Sequence, residues 1–282
     1  MIDTYSHRCR KRYSFSHCYV FHFSLFHFAL PIFYNNTVQK IYIKRYIILE
    51  ESKVMTHEEV KNYILNAMML GDTVNPEEVI DRNPYLLVYE CEHLRENLYG
   101  SVCIDNFIFK LNDRGEIILT YYIGEYAELD LGDTVDIIGP YAFYRNTDIR
   151  KVYGNSVKEV GDAAFQYSKI EVVNFPNLKE VGVASFYSSA LREINAPKVS
   201  YIKYYTFNSC KQLSRVDIQA CLGLEACAFQ DCTNLSTVSI PKCQTIEHSA
   251  FSGCINLRKL EIQRDTVYRD NTFDGCKKLK FT

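Results

Sequence analysis

The sequence holds no tryptophan and only seven histidines, four of which fall in the first 54 residues. Its eleven cysteines form no C-x-x-C pair and stand at no His-supported zinc spacing, so no metal site is expected. It contains no glycine-rich phosphate loop, no nucleophile elbow and no paired carboxylates that interrupt its repeating pattern. These absences remove the usual signatures of catalysis, and neither an enzyme nor a cofactor is expected. A dominant charge is lacking too, since 32 Lys and Arg face 34 Asp and Glu. The balance is uneven along the chain: residues 1–54 hold eight basic and three acidic residues, which leaves 24 against 31 in the remainder. A mildly acidic body argues against a nucleic-acid partner, because nucleic acid is held by basic surface that displaces phosphate counterions. With 47% hydrophobic residues among 282, the chain can bury a substantial core.

Long apolar runs are scarce. One mostly apolar stretch, Cys18–Phe33, follows the basic residues Arg8, Arg10, Lys11 and Arg12, in the order of a signal peptide or signal anchor. His22 and His27 interrupt it. It is shorter than the roughly 20 residues of a membrane span, and no small-x-small cleavage site follows. Residues 1–54 are therefore read as an extension that is non-structural or lies upstream of the true start, with translation starting at Met55. Glu50-Glu51 can be encoded by GAGGAG, a ribosome-binding sequence at a suitable distance from Met55. A signal or anchor within residues 1–33 is the alternative, and a membrane partner is expected only in that case.

Residues 55–100 read as a helical lead-in. Thr56 and Glu59 fit a capping box, Val60, Ile64, Leu65, Met68 and Met69 continue a helical stripe, and Gly71 stops it. Asn75-Pro76-Glu77-Glu78 opens a second short helix that ends near Asn83-Pro84. Residues 85–99 fit a strand or a helix, and His93 beside Glu90 and Glu92 reads as a solvated helical face. Residues 101–123 alternate as a β-hairpin around Asn112-Asp113-Arg114-Gly115, placed to cap a stack of repeats that begins near residue 124.

What is abundant is a phenylalanine that returns at steps of 22, 21, 21, 22, 22 and 22 residues: Phe143, Phe165, Phe186, Phe207, Phe229, Phe251 and Phe273. A small residue precedes each, and an aliphatic or aromatic one stands five positions before it. This period marks a solenoid, whose units bury their apolar faces only by stacking. Three positions after the Phe comes Cys or a small polar residue, including Cys210, Cys232, Cys254 and Cys276, and then an L-x-x-L-x-L strand such as Leu235, Val238 and Ile240. The cysteines read as buried free thiols acting as small apolar residues, with a disulfide between adjacent coils left open by geometry.

These phased positions resemble the BspA-like leucine-rich repeat family over residues 117–282, where a short strand, an I-G-x-x-A-F segment and a Cys recur. The Gly is present only as Gly139, Gly161 and Gly182. The resemblance implies an α/β leucine-rich-repeat solenoid over residues 124–282, of about seven 21–22-residue repeats with one parallel sheet. The seven phenylalanines are expected in its core. The outward strand sites from Arg150 to Lys280 hold seven basic and four acidic residues, which favours a protein partner with acidic patches. Arg150, Tyr153, Arg192, Arg215 and Arg258 are the candidate binding residues, because Arg and Tyr are enriched at interface hot spots. A protein-binding scaffold is the leading function. An adhesin, secreted or at the cell surface, is the alternative that the resemblance implies, whereas a start at Met55 implies a cytoplasmic binder. The last coil, near Leu279 and Lys280, is a candidate for self-association.

Overall fold

The computed structural model describes residues 41–42, 56–82 and 86–280. The expected extension before Met55 and the helix end at Asn83-Pro84 lie outside the described residues. The exception is the two-residue strand Ile41–Tyr42, which pairs in parallel with Glu128–Asp130.

The lead-in forms three helices. His57–Met69 starts at Thr56, whose N–H donates to Glu59 Oε2 at 2.7 Å while its hydroxyl accepts from the Glu59 N–H at 3.3 Å. This helix buries Val60, Ile64 and Ala67. The short helix Pro76–Ile80 is capped by Asn75, and the ambiguous stretch folds as the helix Val88–Leu98. The buried residues of these last two helices, Val79, Ile80, Leu94 and Leu98, close over Ile108 and Tyr121. One expectation fails here. Glu90 is not on a solvated face but is 3% exposed, accepting from the Leu87 N–H and from the Tyr144 hydroxyl of the first coil. Burying a carboxylate is tolerated because donors surround it, and Arg145 Nη2 stands 4.0 Å away. His93 is exposed, as expected, but its ring stacks on Tyr141 at 5.8 Å.

The expected hairpin carries a third strand. Val102–Ile104, Phe107–Leu111 and Ile117–Tyr122 pair antiparallel in order. Ile118 and Leu119 then pair in parallel with Ile137 and Ile138, so the last strand of the cap is also the first of a solenoid ladder. Two contacts fasten the cap from outside. His57 Nε2 lies 2.9 Å from Asp136 Oδ2, and Lys158 bridges Asp136 and Glu116 at 3.5 and 2.6 Å.

Each coil of the solenoid has three walls. The first is the expected strand, stacked in parallel through Glu128–Asp130, Lys151–Tyr153 and Val172–Asn174, and again through Glu193–Asn195, Arg215–Asp217, Thr237–Ile240 and Lys259–Ile262. The second adds a ladder of two-residue strands such as Glu159–Val160 and Thr245–Ile246. Both ladders break at one place, between the coil of Val172–Asn174 and that of Glu193–Asn195. This is where the two shortened repeats meet, and the Arg192 N–H still donates across it to Glu171 O at 3.1 Å.

The third wall is the phenylalanine turn, and it runs unbroken. The seven rings stack 4.8 to 5.7 Å apart and within 10° of parallel. Six are buried and Phe273 is half-buried against the same core. The residues two before and two after each Phe have positive φ, as at Ala163 (53°) and Tyr167 (58°). That alternation turns N–H groups of one coil toward the next: in the first, Tyr141 donates to Asp162 O, Phe143 to Ala164 O and Arg145 to Gln166 O, at 3.0, 2.7 and 2.9 Å. A left-handed non-glycine residue costs about 1–2 kcal/mol, which these interior hydrogen bonds offset. Tyr122 begins the series. Its N–H donates to Ala142 O at 3.1 Å and its ring lies 5.6 Å from Phe143, so the cap supplies the layer that precedes the first Phe.

The three glycines of the early repeats have a steric reason. A Cβ at Gly161 would lie 2.6 Å from Pro140 N, and one at Gly182 would lie 2.5 Å from Asp162 N, because the backbone passes directly over the preceding coil.

Candidate functional site

Alternation along a strand sends every second side chain outward, so the register of the first wall assembles its outer face. Val152, Ile194, Val216 and Val238 are buried inside the coils. Lys151, Tyr153, Glu193, Asn195, Arg215 and Asp217 therefore face outward on their strands. Of the five candidates, Tyr153 and Arg215 occupy such strand positions, while Arg150, Arg192 and Arg258 stand just before their strands. All five come to one face.

Their surroundings change the expected charge. The strand Glu128–Asp130 adds two carboxylates that repeat phasing alone did not place there, so seven cations meet six carboxylates on this face. Most pair within it. Glu171 lies between two arginines, 3.8 Å from Arg150 Nε and 2.9 Å from Arg192 Nη2. Lys151 bonds Glu128 at 3.2 Å, which raises the lysine pKa, and Arg215 stands 3.8 Å from Asp217.

The arginines differ in availability. Arg150 donates to the carbonyls of Thr147, Asp148 and Ile149 at 2.7, 3.0 and 3.0 Å, so its guanidinium closes its own turn. Arg192 and Arg215 are 64% and 63% exposed. Arg258 is exposed and makes no ion pair among the described residues. Exposed pairs contribute about 0–1 kcal/mol each, so an incoming carboxylate can replace the one already present.

Other features are structural in character. A cleft of about 250 Å³ lies beside the first coil, lined by Arg82, Glu125, Arg145 and Asp148 with Tyr121, Tyr122 and Tyr144. No histidine or cysteine lines it. Among the described residues no group of three or more His, Cys, Asp and Glu could hold a metal ion, and no helix is long and apolar enough to cross a membrane. The cysteine ladder is a set of free thiols, each bonded to the carbonyl of the preceding coil's Phe: Cys210 to Phe186, Cys232 to Phe207, Cys254 to Phe229 and Cys276 to Phe251, at 2.9 to 3.1 Å. Burial pushes the Cys210 and Cys276 thiols up to about 12, so they resist ionisation. The tyrosines of the third wall were not legible as a group in the sequence, because their spacing does not follow the repeat.

Comparison with known proteins agrees with this architecture. The BspA type leucine rich repeat region matches in six copies, over residues 120–222 and 158–280. A crystal structure of a leucine-rich repeat protein from T. pallidum is similar at 23% identity, with a TM-score of 0.56, covering 64% of this chain and 90% of that one. Another, from Eubacterium ventriosum, is 23% identical with a TM-score of 0.50, covering 64% of this chain and 52% of that one. Among curated proteins no match was found. At these identities the likeness concerns the fold.

Proposed function

The chain belongs to the BspA-type leucine-rich repeat family, and on that premise we propose that it is a non-enzymatic protein-binding scaffold. Its recognition surface is the outward face of the first wall, and its partner is a protein with acidic patches. The main support is the row of Arg192, Arg215 and Arg258, exposed on three of four consecutive coils above a rigid core. Arginines held in this way are enriched among residues that dominate interfaces. Glu171 and Asp217, the carboxylates now paired with Arg192 and Arg215, are partly open to solvent and exchangeable, and Arg258 holds none among the described residues. A nucleic-acid partner fits less well, because a short row of guanidiniums on a mildly acidic body is not the broad basic surface that displaces phosphate counterions.

The test is affinity capture from the source cell with the wild-type chain and with the Arg192→Glu, Arg215→Glu double variant. The expected result is loss of a specific captured protein while circular dichroism and melting stay unchanged. Equal capture by both would remove this face from consideration.

A further inference from the structure

The third wall has an outer surface of its own, and its chemistry differs from that of the sheet face. Outside the Phe stack, Tyr141, Tyr144, Tyr167 and Tyr187 meet edge to face in succession, with centroids 5.4, 6.1 and 5.4 Å apart. The next coil adds Tyr204 and Tyr205, 48% and 44% exposed. Tyr144 is buried against Glu90 and Tyr141 is stacked by His93, so the helical cap covers the start of this row, whereas Tyr167, Tyr187, Tyr204 and Tyr205 reach solvent and take no part in the main core.

The wall already holds one ligand of a definite kind. The Arg145 guanidinium carbon sits 5.3 Å from the Tyr144 ring centre and 4.9 Å from that of Tyr167, filling the notch between two coils. Further along, Tyr187, Tyr204 and Tyr205 present comparable rings with no cation over them among the described residues. From the coil of Phe229 onward carboxylates join the outward residues of the same wall, beside Arg269 and Lys277. Asp231, Asp270 and Asp274 are exposed and make no ion pair among the described residues. Glu225 and Glu247 are engaged with the Tyr204 N–H at 3.0 Å and with Arg269 at 3.5 Å.

We propose that the third wall is a second recognition surface, and that it takes an arginine-bearing basic polypeptide segment laid across the coils. Guanidinium groups of that segment stack on Tyr187, Tyr204 and Tyr205 as Arg145 does on Tyr144 and Tyr167, and pair with Asp231, Asp270 and Asp274. Arginine serves both halves, being planar enough to stack and permanently charged. Lysine serves only the acidic half well. This partner has the opposite charge to the one proposed for the sheet face, so the two surfaces can be tested apart.

The experiment titrates the full chain with a short synthetic peptide of alternating Arg and Gly, by calorimetry, beside matched Lys–Gly and Glu–Gly peptides. The arginine peptide binds, the lysine peptide binds about ten-fold more weakly, and the glutamate peptide does not bind here. Two exposed cation–π contacts together correspond to roughly a ten-fold loss, so the Tyr187→Ser, Tyr205→Asn double variant weakens the arginine peptide by about that factor. Asp231→Asn with Asp274→Asn also weakens it, and Arg192→Glu on the sheet face leaves it unchanged. Should the double tyrosine variant unfold, Tyr204→Ser alone carries the same comparison. Equal binding of the arginine and lysine peptides, no loss in the tyrosine variants, or sensitivity to Arg192→Glu would overturn the proposal.

Discussion

The Cys232 thiol donates to the Phe207 carbonyl at 3.0 Å, so a side chain of one coil satisfies the backbone of the coil before it. The same bond recurs from Cys254 to Phe229 at 3.0 Å. Free thiols in these places are both small apolar fillers and hydrogen-bond donors. The native protein should therefore react slowly with an aromatic disulfide reagent at Cys210, Cys232 and Cys254, and fast once unfolded. Burial raises the Cys210 thiol from its ordinary 9.0 to about 12, so the folded state keeps a proton that the unfolded chain releases in that window. The contribution of this thiol to stability is thus full below pH 9 and is lost between roughly pH 9 and 12. Fast labelling of all three without unfolding would contradict the ladder.

Phe207 stacks on Phe186 and on Phe229 at 5.4 and 5.1 Å and is fully buried. Phe207→Ala should cost about 3–5 kcal/mol, the range for emptying a large aromatic site. Because each coil is stable only through its neighbours, the loss appears as a lower urea midpoint for the whole solenoid. An unchanged midpoint would rule out the stacked arrangement.

Ser185 stands immediately before Phe186, and its buried hydroxyl has no hydrogen-bond partner. Its counterpart Thr206 donates to Lys203 O at 2.8 Å, while Ala142, Ala164, Ala228 and Ala250 carry no hydroxyl there. Ser185→Ala should accordingly stabilise the chain by about 1 kcal/mol, since it removes an unpaired buried polar group without opening a cavity. A lower melting temperature would show that the hydroxyl contributes favourably.

Glu159 lies half-buried beside Glu180, its partner in the second ladder's register. Burial raises its pKa above the ordinary carboxylate value of 4.5, and the Glu180 charge raises it further. A raised acid is favoured protonated in the fold, so its contribution is present below about pH 4.5 and is lost as pH rises through the folded value. Glu159→Gln should remove this loss and melt higher than wild type at pH 7, the two differing less in acid. If instead the wild type is the more stable at pH 7, the carboxylate has a favourable role there.

Repetition makes much of this fold legible in the sequence. The period of Phe143 through Phe273 reports a requirement for stacking, and the phase of Leu235, Val238 and Ile240 separates inside from outside. Such features are local and recur, so each repeat restates them. The five candidate residues came to one face for the same reason. Their pairing was not legible, because Glu171 reaches both Arg150 and Arg192 only once neighbouring coils are in register. Glu90, expected with Glu92 and His93 on a solvated face, is buried for a related reason, since its partner Tyr144 lies in a coil far along the chain.

The sequence by itself determined the solenoid, its seven-coil register and the burial of its phenylalanines, since a fixed period of apolar residues has few ways to leave water. Tertiary structure alone decided which charges remain available and which aromatic residues stay outside the core. Those properties depend on contacts between coils and on the helical cap, which no single repeat contains. The third wall unites the two levels: its Phe row is spelled out in the sequence, while the tyrosine surface over it exists only after the coils have stacked.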